Sequence, residues 1–161
     1  MNELDKNRII DRYNSRLKKY GYDIRTLASG IEERREIRYK ILSEVWLKPG
    51  DSVLDLGCGF GDFYTYLKRQ GINVKYTGYD INKNLIEIAK KNHPDVEFYV
   101  KDILIENFPV FDYIVSSSTF NLKLLHEDNY IFIERILKKC YNHINIGLAF
   151  DFLTSYVDFE T

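Results

Sequence analysis

The stretch Val53-Leu54-Asp55-Leu56-Gly57-Cys58-Gly59-Phe60-Gly61-Asp62 decides how this chain folds. A short β-rich run at residues 52–56 enters three glycines at alternate positions, and residues 62–68 then read as a helix ended near Gly71. Strand, glycine turn and helix in that order open an α/β unit, with the turn at the strand's carboxyl end. Glycine lets the backbone turn tightly there and approach a ligand with no side chain in the way.

Downstream, the same alternation repeats. Residues 75–79 read as a second strand, and Leu85, Ile88 and Ala89 form a helix stripe stopped before Pro94. Third and fourth strands follow at 96–100 and 113–116. Ile133, Ile136, Leu137 and Cys140 keep the i, i+3, i+4, i+7 spacing of an amphipathic helix, and 144–152 is a fifth strand. This order specifies an open, mostly parallel, doubly wound sheet with helices on both faces. Upstream, residues 3–20 and 29–46 read as helices, the second burying Ile37, Ile41 and Val45 and halted at Pro49-Gly50. At 161 residues the chain has material for one core, so it is read as one domain, with a helical lead-in at 1–48 and a cofactor-binding core at 51–152.

In such sheets ligands bind beyond the carboxyl ends of the strands. The glycine spacing is G-x-G-x-G, whereas the dinucleotide fingerprint would need glycine at Asp62. Asp62 at a helix N-terminus would repel a pyrophosphate, and Asp55 adds a second acid to the same mouth. The site therefore suits a ligand without phosphates that carries positive charge, a description S-adenosylmethionine fits through its sulfonium and ammonium groups. A nicotinamide-dependent (NAD) oxidoreductase on a similar sheet is the alternative that the spacing and Asp62 disfavour. The second strand ends at Asp80, placed to accept both hydroxyls of a ribose; helix capping is its other reading.

Two segments together, VLDLGCGFGDFYTYL and YTGYDINKNLIEIAKKN, resemble motifs I and II of the class I (Rossmann-like) S-adenosylmethionine-dependent methyltransferases. The resemblance continues in VEFYVKDIL and FDYIVSSSTFN and covers roughly residues 50–152. It implies that Asp55 supports the methionine end of the cofactor, with Gly57, Cys58, Gly59 and Gly61 passing beneath it. It also implies ribose binding by Asp80, adenine packing by Ile81 and Ile103, and a contact from Asp102 to the adenine amino group. Ser117, among the hydroxyl residues after the fourth strand, is placed near the methyl group, with Phe120 or Asn121 toward substrate. Arg38 on the second helix is a candidate for the cofactor carboxylate. The fourth strand ends without an Asn-Pro-Pro-Tyr type motif or a Pro-Cys pair, which disfavours methylation of DNA bases. The acceptor is expected to be an oxygen or nitrogen of a small molecule. A catalytically inactive cofactor-binding subunit or fragment is the other reading.

A net charge of −1 disfavours nucleic acid as a partner. Arg34, Arg35 and Arg38 are expected on a solvated helix surface. Cys58 and Cys140 lack metal-ligand spacing, so no metal is expected; Cys140 belongs to the core and Cys58 to a place where only a small side chain fits. Of the three histidines only His126, read as opening the helix after the fourth strand, is placed for acid–base work. No membrane span or signal segment is read, and the protein is expected to be cytoplasmic. The family sheet usually has seven strands, its last two a hairpin beside the fifth. Residues 153–161 are too few for that hairpin. The chain is therefore expected to be a fragment or a five-strand variant, with the fifth strand an open edge through which homo-oligomers form.

Overall fold

The computed structural model describes residues 1–27, 30–45 and 47–152. Along the chain lie α1 (Glu3–Tyr20), α2 (Glu32–Ser43), β1 (Ser52–Leu56), α3 (Asp62–Arg69), β2 (Lys75–Asp80), α4 (Lys83–Asn92), β3 (Glu97–Val100), β4 (Phe111–Ser116), α5 (Asn129–Tyr141) and β5 (Ile144–Phe150). The strands form one sheet in the order β3-β2-β1-β4-β5, with every pairing parallel. Strand order reverses between β1 and β4, which opens a crevice above their carboxyl ends.

Side chains alternate across each strand, so each face of the sheet collects its own core. Val53, Tyr76, Phe98, Tyr113 and Val115 meet Phe63, Tyr66, Leu67, Ile86 and Ala89 from α3 and α4 on one face, with Tyr39 and Leu42 of α2. Leu54, Leu56, Tyr79 and Ile114 meet Phe132, Ile136 and Cys140 of α5 on the other. Cys140 is fully buried there. Asn82 and Asp128 start α4 and α5 by accepting the backbone N–H groups one turn in.

Several elements differ from the sequence reading. The second helix is shorter than 29–46; Ala28, Ser29 and Trp46 lie outside the described residues. Ile37 and Ile41 are exposed, and Tyr39 and Leu42 are the residues buried instead. Tyr39 packs on the Phe63 and Tyr66 rings, and Leu42 joins the same core. On that side of α2 Arg35 bonds Asp62 at 2.7 Å and Arg38 stands 3.7 Å from Asp151, so the two arginines do not sit on a solvated surface; Arg34 does. Strand β5 stops at Phe150 because Asp151 turns to accept from Ser117 Oγ at 3.0 Å and from the Ser118 N–H.

Among the described residues, β5 pairs only with β4 and its Ile146 is exposed. The expectation about residues 153–161 lies outside the described residues. No described helix is long and apolar enough to cross a membrane.

Candidate cofactor site

A cavity opens above the carboxyl ends of β1, β2 and β4. Its wall includes Asp55, Gly57, Cys58, Gly59, Asp80, Ile81, Asp102, Ile103 and Ser117. Nine of the eleven residues singled out from the sequence thus converge on one space. The other two, Gly61 and Arg38, stand outside its lining. Gly61 is the N-cap of α3, where a β-carbon would come within 2.8 Å of the Phe98 ring, so its glycine lets α3 pack down on β3. Arg38 faces Asp151. Asp62 also turns away from the cavity, toward Arg35 and the Tyr22 hydroxyl at 3.3 Å.

The glycine loop is fixed from both sides. The N–H groups of Gly57 and Cys58 both donate to the Tyr79 carbonyl, at 2.7 and 3.1 Å, which ties the loop to the end of β2. Gly57 has φ +78°, and a β-carbon there would lie 2.1 Å from Thr119 Oγ1. Gly57→Ala is therefore expected to cost at least about 1–2 kcal/mol of stability from backbone strain alone. Urea unfolding should show part of that loss recovered in Gly57→Ala/Thr119→Ala, where the obstructing oxygen is gone. An unchanged Gly57→Ala chain would mean the loop does not hold this shape.

Asp80 orders the site's second side. Its Oδ2 accepts the Gly59 N–H at 3.0 Å and its Oδ1 the Asn82 N–H at 2.8 Å, so one carboxylate links the glycine loop to the start of α4. Asp80 is not the cap of α4: Asn82 caps it, and Asp80 holds the N–H of that cap residue. Burial raises the pKa of Asp80, against the backbone bonds that lower it. Asp55 is buried at the end of β1 and accepts a hydrogen bond from the Tyr76 hydroxyl. Burial pushes its carboxyl up to about 7 against that bond, and the charges of Asp80, Asp62 and Asp151 add to the rise. Burial likewise pushes the Cys58 thiol up, which leaves it an inert packing group rather than a nucleophile. Its sulfur fits because Gly78 opposite has no side chain: a β-carbon there would lie 2.8 Å away. Asp102 receives Lys6 Nζ at 3.1 Å.

Helix α1 is the part of the site that the sequence did not disclose. Ile9, Ile10 and Tyr13, with Met1, line the cavity. Four points hold α1 down across the strand ends. The fully buried Asp5 accepts the N–H groups of Leu125 and His126 at 2.8 and 2.9 Å. Lys6 meets Asp102, Asn14 Oδ1 accepts from Asn82 Nδ2 at 3.0 Å and from Asn84 Nδ2 at 2.9 Å, and Glu127 accepts the Asn2 N–H. The signal was present as Ile9, Tyr13 and Leu17, one face at i, i+4, i+8 behind the cap residue Asn2. Nothing in a single helix says where its apolar face docks.

Toward the far end, the wall is apolar: Phe120, Leu122, Leu124, Phe132 and Ile136. Phe120 is on this wall, stacked on Phe150 and Phe152; Asn121 is not. His126 precedes α5 rather than opening it, is exposed, and serves through its backbone N–H to Asp5. His93 packs against Tyr64 and Phe98, and His143 stacks on Phe108. No group of three or more histidine, cysteine or acidic residues placed to hold a metal occurs among the described residues.

An open parallel sheet with an acid-lined cavity at its switch point defines a protein built to hold a small organic ligand. A family model described as a methyltransferase domain matches residues 47–144, and the chain belongs to the class I S-adenosylmethionine-dependent methyltransferases. It is 32% identical over 105 residues to the demethylmenaquinone methyltransferase of Thermotoga maritima, covering 65% of this chain and 43% of that one. It is 35% identical over 96 residues to the ribosomal protein L11 methyltransferase of Thermotoga neapolitana, covering 56% and 36%. Among solved structures, a TehB-like SAM-dependent methyltransferase from Corynebacterium glutamicum aligns with TM-score 0.53 at 26% identity, over 89% of this chain and 68% of that one. The chain spans less than half the length of the two Thermotoga relatives.

Proposed function

We propose that the protein transfers the methyl group of S-adenosylmethionine to an oxygen or nitrogen of a small molecule. The observation that carries this reading is the acid set of the cavity. Asp55, Asp80 and Asp102 line one space, and burial disfavours the ionised forms of the first two. Buried carboxylates of this kind favour a cationic, hydroxyl-bearing ligand and oppose a pyrophosphate. The residues present fit S-adenosylmethionine: Asp55 for its ammonium end, Asp80 for its ribose, Ile81 and Ile103 beside its adenine, and Asp102 for the adenine amino group. The backbone of Gly57, Cys58 and Gly59 forms the floor and Ser117 is the hydroxyl for the methyl end, while Arg38, outside the lining and facing Asp151, is not assigned to the carboxylate.

S-adenosylmethionine supplies a methyl group already activated on a sulfonium. What remains for this chain is to hold the two reactants in line and exclude water. Helix α1 covers the strand ends, and Phe120, Leu122, Leu124 and Phe132 keep the far wall dry. A cavity roofed in this way favours a small acceptor over a protein segment. The names of the relatives include both kinds, a demethylmenaquinone enzyme and a ribosomal protein L11 enzyme.

The test is a thermal-shift panel followed by an acceptor screen. S-adenosylmethionine and S-adenosylhomocysteine at 100-fold excess over their dissociation constants should each add about 2.7 kcal/mol of stability, and NAD none. Equal stabilisation by NAD would remove the assignment. Release of S-adenosylhomocysteine dependent on a small-metabolite pool identifies the acceptor; release only with a protein fraction would replace the small-molecule reading.

A further inference from the structure

We propose that Tyr76 is a positioning residue of the cofactor site: its hydroxyl holds one carboxylate oxygen of Asp55, which fixes the rotamer and leaves the rest of that carboxylate for a cationic group in the cavity. This inference rests on the reading of Asp55 as the acid at the cofactor's ammonium end.

The sheet register explains why the two residues meet. Asp55 pairs with Gly78 across the β1–β2 ladder, and Val53 pairs with Tyr76. Alternation puts Val53, Asp55, Tyr76 and Gly78 on one face. Gly78 presents no side chain beside Asp55, so its same-face neighbours on β2 are Tyr76 one step back and Asp80 one step forward, and of the two Tyr76 is the one that donates. Its hydroxyl reaches Asp55 Oδ2, both groups being buried. The Tyr76 ring is set by Tyr64 at 5.2 Å and Phe98 at 5.9 Å between centroids, an aromatic clamp that leaves the hydroxyl little choice of partner. A core tyrosine needs a hydrogen-bond partner. Here that partner is a residue on the cavity wall.

Charged or titratable groups reach Asp55 from several elements, while its neighbour on β4 is Val115. Beside Tyr76 on β2 there is Asp80 at the strand's end, Asp62 comes from α3, and Asp151 from beyond β5. Tyr39 comes from α2 and Cys58 from the glycine loop. Arg35 and Arg38 lie on the same side but are engaged with Asp62 and Asp151. The surroundings of Asp55 are thus mostly acidic, and the Tyr76 hydroxyl is the donor that favours its ionised form.

The experiment measures S-adenosylhomocysteine binding by calorimetry between pH 6 and 9, in the parent chain, Tyr76→Phe, Asp55→Asn and the double variant. Tyr76→Phe keeps the ring packing and loses only the hydroxyl. It should bind about tenfold more weakly near neutral pH, with the deficit shrinking as pH rises and Asp55 ionises without help. In the Asp55→Asn background the same change should have no further effect. If Tyr76→Phe does not fold, 3-fluorotyrosine at position 76 replaces it as the probe. This more acidic phenol of nearly the same volume should shift the pH profile the opposite way. A purely structural role would lower stability and leave the pH profile of binding in place, and that result overturns the proposal. Parent-like affinity in Asp55→Asn would overturn the underlying reading of Asp55. A weak Asp55→Asn with a parent-like Tyr76→Phe sinks Tyr76 alone.

Discussion

Asp80→Ala is expected to bind S-adenosylhomocysteine about 10- to 150-fold more weakly than the parent chain, a loss of about 1.5–3 kcal/mol. An ionised carboxylate offers about four acceptor positions. Two are occupied in the structure by the N–H groups of Gly59 and Asn82. The remaining positions are those available to a ribose. Because Asp80 also fastens the glycine loop, Asp80→Ala removes a ligand contact and loosens the floor beneath it. The two effects separate with a ligand that lacks the 2′-hydroxyl. Loss of a ribose bond predicts that the Asp80→Ala penalty shrinks for the deoxy ligand, whereas loss of loop order predicts the same penalty for both. Calorimetry on a folded Asp80→Ala chain with parent-like affinity would take Asp80 out of the site.

The sheet was legible because its strands are short β-rich runs punctuated by glycine and proline. All five strand positions and the helices between them follow from that pattern. The cavity wall was legible for a related reason: in an open parallel sheet the crevice forms at the strand ends, so its lining comes from the few residues after each strand, which is where Asp55, Asp80 and Asp102 stand. What stayed hidden depends on contacts between distant segments. Ile37 and Ile41 keep perfect helical spacing, yet α2 turns Tyr39 and Leu42 inward, on the side where Arg35 and Arg38 meet Asp62 and Asp151. Tyr76 reads as an ordinary strand aromatic until the register places it one step from Asp55. Helix α1 carries an amphipathic stripe whose docking surface is assembled from Asn82, Asp102, Leu125 and His126. Asp151 looks like a residue inside a strand, and becomes a clamp on Ser117 and Ser118 only because β4 and β5 are neighbours.

Asp55→Asn is expected to make the unliganded protein more stable at pH 8 while it weakens cofactor binding. The direction follows from the raised carboxyl. In the unfolded chain Asp55 gives up its proton near the ordinary carboxylate value of 3.8, and in the folded chain at about 7. Between those values the folded state holds a proton that the unfolded state has lost, so the stability contributed by this group falls as pH rises through the window. The full difference corresponds to roughly 4 kcal/mol above pH 7, falling toward none below pH 4. Asparagine has no charge to bury, so its advantage over the parent should be less than half that figure at pH 5 and approach the whole of it at pH 8. Urea unfolding of both chains at the two pH values gives the difference directly. Asp80 and Asp62 are also raised by burial and contribute slopes of the same sign. Asp5 and Asp112 are lowered, so their contributions are present above the ordinary carboxylate range and lost toward acid. Asp5 and Asp112 are the same in both chains and cancel in the comparison, and the loss of the Asp55 charge only eases ionisation of the neighbouring Asp80 and Asp62. A stability gap that does not widen from pH 5 to pH 8 would mean Asp55 is not a buried, penalised acid. The ligand supplies the converse half of the argument: a cation beside Asp55 offsets the cost of ionising it. S-adenosylmethionine should therefore stabilise the parent chain more at pH 8 than at pH 5.5, and Asp55→Asn by the same small amount at both. On this account the cavity is kept unfavourable for itself at working pH so that a cationic cofactor is what relieves it.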